Sequence, residues 1–161
     1  MMGRLKEADT VLHQGIGNVV SLYNSRVPAR VGEYAPNAIE RRIVQKLRAL
    51  LLSSLLKPRG DFEKACFLIA ADANITTERY AAAFFHGLEI FGIRKFEFYN
   101  LGSASVSLDE MWAVRLLLSL LAEDYSTVRY LMSVRIEPAG QRRLGFLAQQ
   151  LARSVSKCLD S

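Results

Sequence analysis

The chain has 161 residues, half of them hydrophobic, with a formal net charge of +5 at neutral pH and a mean hydropathy of +0.10. A chain of this length buries a full hydrophobic core without needing a disulfide or a metal ion to stabilise it. No apolar stretch approaches the roughly 18 residues of a membrane span, and the first residues lack the layout of a signal peptide, so we expect a cytoplasmic protein without a membrane span.

The charge is unevenly distributed along the sequence. Residues 1–60 contain ten Lys and Arg against four Asp and Glu, residues 61–137 contain seven against eleven, and residues 138–161 contain four against one. Basic ends around an acidic middle favour either an anionic partner or an attraction between two parts of the same molecule.

Apolar residues recur at helical spacing throughout, which predicts an all-α fold in a single domain over residues 1–161. The first helix is predicted over residues 5–23, and the prolines and glycine of residues 24–36 mark a loop. Further helices are predicted over residues 37–57, 61–71, 76–91, 108–122, 124–134 and 138–158. These seven helices predict a bundle-like or irregular helical array.

Capping residues support several of these boundaries. Ser107 and Glu110 form the pattern of a capping box, so we expect a helix from Leu108 that is apolar on nearly every face and therefore central and buried. Gly92 is expected to end the preceding helix with a positive φ. Residues 93–99 alternate weakly without a partner strand, which predicts an extended connector.

The helix at 37–57 carries two candidate surfaces. Its basic face could bind an anionic surface such as nucleic acid, the alternative being an ordinary solvated face; its residues are Arg41, Arg42, Lys46 and Arg48. In the second half, leucines spread around the whole circumference, which a helix tolerates only when it is covered on all sides. Leu52 and Leu56 are therefore candidates for contact with the core or with another subunit.

The last helix, predicted over 138–158, places an aromatic residue opposite its core stripe. An aromatic side chain among arginines on a polar face can anchor a protein partner or stack on a base. The alternative is that another segment, such as the 93–99 connector, covers it. The candidate partner surface on this helix comprises Arg142, Arg143, Phe146, Gln150 and Arg153.

No catalytic, cofactor or metal site is predicted. His13 and His86 fall on the polar arcs of their helices, without convergent ligands or a nucleophile beside them. The carboxylate pairs at 109–110 and 123–124 lie at helix starts, where capping explains them. Cys66 and Cys158 are expected to be buried free thiols.

The C-terminal third contains loosely spaced leucine and arginine motifs. They are Ser107-Leu108-Asp109-Glu110-Met111-Trp112, Arg115-Leu116-Leu117, Arg129-Tyr130-Leu131, Arg142-Arg143-Leu144 and Phe146-Leu147-Ala148. This stretch resembles uncharacterised small helical proteins of alphaproteobacteria. The resemblance implies an all-helical bacterial protein and transfers no site residue.

Our leading hypothesis is therefore a non-enzymatic helical module that binds another protein, most simply itself in a homodimer, through the apolar surface near Leu52, Leu56 and Phe146. The alternative is a nucleic-acid-binding protein that uses the basic faces of the helices at 37–57 and 138–158. A third hypothesis, an enzyme with a pocket built from unmarked residues, is not supported by any motif.

Overall fold

The computed structural model describes residues 35–161, and within this range the chain forms six α-helices and no β-strand. The all-α prediction is confirmed. The helix predicted over residues 5–23 lies outside the described residues. The helices are α1 (Ala38–Leu55), α2 (Phe62–Ala71), α3 (Thr77–Phe91), α4 (Leu108–Leu121), α5 (Tyr125–Arg135) and α6 (Pro138–Asp160).

Side-chain caps fix most of the helix starts. The Ser107 hydroxyl accepts a hydrogen bond from the Glu110 amide at 3.0 Å, while the Glu110 carboxylate accepts from the Ser107 amide at 2.8 Å. This reciprocal arrangement satisfies two amides that have no partner inside the helix, and it confirms the predicted capping box. The other helices begin after the N-cap residues Asn37, Asp61, Thr76, Asp124 and Glu137, the last followed by Pro138 at the first helical position.

Helix α4 is the most buried helix of the described fold, and its burial agrees with the sequence prediction. It contacts α1, α5 and α6. Nine of its fourteen residues are buried, including Trp112, whose indole N–H donates to the Leu131 carbonyl at 2.9 Å. Each fully buried leucine or phenylalanine in such a core contributes about 1.5–3 kcal/mol of transfer free energy, so the core depends mainly on the packing of these helices.

Two glycines allow α3 and α6 to pack closely. A Cβ atom at Gly140 would lie 2.5 Å from the Cβ of Phe91, and a Cβ atom at Gly87 would lie 2.5 Å from the Leu144 side chain. Both distances are shorter than van der Waals contact. The crossing of α3 and α6 therefore requires a residue without a side chain at Gly140, where the opposing atom belongs to the base of a side chain that cannot swing away.

Gly92 ends α3 for a different reason from the one predicted. Its φ is −65°, so the expectation of a positive φ is wrong. A Cβ atom there would lie 2.5 Å from the Leu88 carbonyl oxygen. Gly92 forms an isolated antiparallel bridge with Ile136, in which the Glu137 amide donates to the Phe91 carbonyl at 2.8 Å. Glycine is needed here because the backbone passes close to its neighbours.

Candidate functional site

Phe146 points away from the core of α6 and lines a surface groove between α6 and α2. The side chain is 47% exposed, whereas Leu144 and Leu147 beside it are fully buried. The groove has a volume of about 310 Å³. Helix α2 forms its second wall, not the 93–99 connector. The lining residues are Cys66, Ala70, Arg142, Arg143, Phe146 and Leu147.

Helix α2 carries a large aromatic residue, Phe67, on its exposed side. Phe62 and Ile69 are its only buried residues. Phe67 is 72% exposed. It lies one helical turn after Glu63, which forms an ion pair with Arg143 on α6. Phe67 directly follows Cys66 and precedes Ala70 by three residues, so it lies on the exposed side of the α2 wall of the groove.

The leucine-rich end of α1 is also exposed. Leu56 is 81% exposed, and Leu52 and Leu55 are more than a third exposed, whereas Leu51 packs in the core. The remaining residues of the predicted partner surface lie on the outer side of α6, with Arg142 and Arg153 exposed and Gln150 half-buried. The predicted partner surface is thus divided between the end of α1 and the outer face of α6.

The predicted anion surface on α1 is smaller than expected. Arg41 and Arg42 are exposed, and their guanidinium groups donate to the carbonyls of Pro36 at 3.1 Å and Leu159 at 3.2 Å. Lys46 is half-buried. The placement of Arg48 on this surface was wrong, because the residue is only 2% exposed.

Arg48 is buried because it forms a two-point ion pair with Glu110 of α4. The guanidinium Nε lies 2.7 Å from Oε1 and Nη2 lies 2.9 Å from Oε2. The carbonyls of Ser103 and Ser105 accept further hydrogen bonds at 2.9 and 2.6 Å. A buried charge is tolerated only when it is paired and hydrogen-bonded, and Arg48 meets both conditions.

Asp109, the neighbour of Glu110, forms a second buried ion pair. Its partner is Arg135 at the end of α5, and its Oδ2 accepts from the Glu97 amide at 2.8 Å. The guanidinium carbon of Arg135 lies 4.1 Å from the centre of the Phe96 ring, a cation–π contact. The first turn of α4 therefore supplies both a cap and two buried salt bridges.

The carboxylates of the 97–110 region also affect Tyr99. Partial burial, with the nearby charges of Glu97 and Glu110, raises the pKa of the Tyr99 phenol to about 12. Between pH 10 and 12 the phenol of Tyr99 loses its proton more readily in the unfolded chain than in the folded one. Tyr99 therefore makes the fold less stable as pH rises through that range, and it has no such effect below it.

We expect the Tyr99 phenol to ionise near pH 12 in an ultraviolet titration, and we expect Tyr99→Phe to remove that step. Retention of the step in Tyr99→Phe would assign it to another tyrosine.

The described residues contain no group of three or more His, Cys, Asp and Glu side chains placed to hold a metal ion. His86 is half-buried and packs edge-on against the Phe62 ring, with 5.7 Å between ring centres, so it is less solvated than predicted. His13 lies outside the described residues.

Both cysteines are free thiols, as predicted. Their predicted burial was wrong, because Cys158 is exposed and Cys66 is only half-buried.

No protein-family model, no curated protein and no solved structure matches this chain. None of the helices in residues 35–161 combines the length and the apolar character that crossing a bilayer requires. The function must therefore be inferred from the surfaces described above.

Proposed function

We propose that this protein is a non-enzymatic interaction module that forms a symmetric homodimer through the face shared by α2 and α6. One observation carries the proposal: the projecting Phe67 stands beside the groove lined by Cys66, Ala70 and Phe146. A surface with a protrusion next to a cavity is complementary to itself, and a twofold dimer buries the same patch on both copies.

In such a dimer, Phe67 of one protomer enters the groove of its partner, and the reverse contact forms at the same time. Each buried phenylalanine contributes about 1.5–3 kcal/mol, and Phe146 adds aromatic surface to the lining of the groove. The ion pair between Glu63 and Arg143 lies at the edge of the groove. Charged residues around an aromatic centre are the usual arrangement of a protein interface.

The test is the oligomeric state of the full chain, measured by sedimentation velocity over a range of concentrations. We expect a dimer for the wild type. Phe67→Asp and Phe146→Asp should each raise the dissociation constant by about 30-fold or more, which is the effect of removing a central aromatic residue. Tyr130→Asp is the matched control, because Tyr130 is an exposed aromatic residue on α5, away from the groove.

A wild-type chain that stays monomeric at high concentration would contradict the proposal. Equal weakening by Tyr130→Asp would also contradict it, because it would show a general effect of an added charge. Circular dichroism of each variant separates loss of the dimer from loss of the fold, since all three positions are solvent-exposed and should keep their helices.

Nucleic-acid binding is the second candidate. It is favoured by the hydrogen bond from Arg42 to the Leu159 carbonyl, which brings the basic start of α1 next to the end of α6 where Lys157 is exposed. If the wild type is monomeric but binds duplex DNA with an affinity that falls steeply with salt, and Arg41→Gln with Arg42→Gln removes this binding, the second candidate replaces the first.

A further inference from the structure

A cleft on a different part of the surface lies between the end of α1, the following loop, α2 and α3. Its volume is about 200 Å³, which suits a small ligand or one group of a larger ligand. The side chains along its rim are polar or basic, and its deeper part is apolar. The rim includes Lys57, Arg59, Arg79 and His86, and the deeper part includes Ile69 and Phe85.

The charged residues that line this cleft are all cationic. Three of the lining residues are cationic, and none of them is an aspartate or a glutamate. Arg59 and Arg79 do have acidic partners, because Arg59 Nη2 lies 2.7 Å from Glu89 Oε1 and Arg79 Nη1 lies 3.9 Å from Asp72 Oδ2. These carboxylates are not among the residues that line the cleft.

Glu89 orients Arg59 by accepting from both of its Nη atoms, whereas Asp72 lies too far from Arg79 to accept a hydrogen bond, so neither carboxylate uses all the donors of its arginine. A guanidinium has five N–H donors in a fixed plane, and a carboxylate that accepts two of them leaves three. Both ion pairs are about half exposed, so each contributes little to stability and can share its arginine with a ligand at small cost. Lys57 adds a flexible cationic side chain.

We infer that this cleft binds the phosphate group of a small ligand, with Lys57, Arg59 and Arg79 as the cationic contacts. A phosphate monoester carries nearly two negative charges and three acceptor oxygens, which match two planar guanidinium groups and an ammonium better than a carboxylate does. The apolar residues below the rim would then contact the organic group to which the phosphate is attached. This inference does not depend on the homodimer proposed above, because the two sites share no residue.

The inference can be tested by titrating the isotope-labelled full chain with inorganic phosphate, while sodium chloride keeps the ionic strength constant. We expect saturable shifts of backbone amide signals at Gly60, Arg79 and His86, with a dissociation constant of about 1 mM or lower. Phenyl phosphate should bind more tightly than inorganic phosphate because its ring reaches Ile69 and Phe85. Acetate should bind more weakly than either.

Lys57→Gln and Arg79→Gln should each weaken phosphate binding about tenfold, as expected for the loss of one charge-assisted contact. Lys64→Gln is the matched control, because Lys64 is an exposed cation of α2 that does not line the cleft. An equal loss in Lys64→Gln, linear shifts at all basic residues, or acetate binding as tight as phosphate binding would overturn the inference. The wild-type shift pattern decides the matter even if a variant fails to fold.

Discussion

Replacing Glu110 with glutamine should lower the free energy of unfolding by about 3–5 kcal/mol, the usual cost of leaving a buried charge without its partner. Glu110 and Arg48 are both almost completely buried. Glutamine keeps the size of the side chain and remains an accepted capping-box residue, so the helix cap is largely retained. Its amide nitrogen, however, would face the donors of Arg48. Urea denaturation gives the free energy directly.

Two variants make this result specific. Glu89→Gln breaks an exposed ion pair with Arg59 and should change the stability by less than about 1 kcal/mol. The double variant Arg48→Met with Glu110→Gln removes both charges, while the glutamine oxygen can still accept from the Ser107 amide of the cap, so it should recover part of the loss seen in Glu110→Gln alone. A Glu110→Gln protein as stable as Glu89→Gln would show that the Arg48 charge reaches solvent.

Gly140→Ala should reduce the stability by about 1–3 kcal/mol, because the added methyl group overlaps the side chain of Phe91 at the crossing of α3 and α6. Gly145→Ala, in the same helix, should have the opposite effect. Its Cβ atom would meet no atom within 4 Å, and replacing a helical glycine with alanine stabilises a helix by about 0.5–1 kcal/mol.

The midpoint of thermal or urea denaturation of the two alanine variants compares a crowded position with an open one in a single helix. If both variants stabilise the protein, α6 must be able to shift away from Phe91, and the close crossing described here would not be maintained in solution.

The positions of the helices could be predicted from the sequence because their signals are local. Asp61, Thr76, Ser107 and Asp124 begin their helices as expected, since a cap needs only the residues that follow it within one turn. The buried position of α4 was also predictable, because its leucines cover nearly every face.

The buried ion pairs were missed because their partners are distant in the sequence. Arg48 lies 62 residues before Glu110, and no local pattern connects the two. A usable signal was present: two carboxylates in the first turn of a helix predicted to be buried must find cationic partners. Arg48 also lies at the margin of the apolar arc of α1, next to Val44 and Leu51, where a long side chain can extend inward.

The predicted partner surface was recovered only in part, for a similar reason. Phe146 was identified because it interrupts the polar face of a single helix. Phe67 and the groove wall formed by Cys66 and Ala70 were not identified, because a groove arises only when two helices are placed side by side. Whether an apolar residue of a short helix such as α2 is covered depends on its neighbours in space, and helical periodicity does not contain that information.

The segment between α3 and α4 has no helix or strand of its own in the described structure, yet the amides of Glu97 and Tyr99 are both held by carboxylates of the first turn of α4. Loosening of this segment breaks hydrogen bonds to the buried carboxylates of that turn. We therefore expect residues 97–110 to behave as one cooperative unit, in which an irregular stretch of backbone is as resistant to local opening as the helix that anchors it.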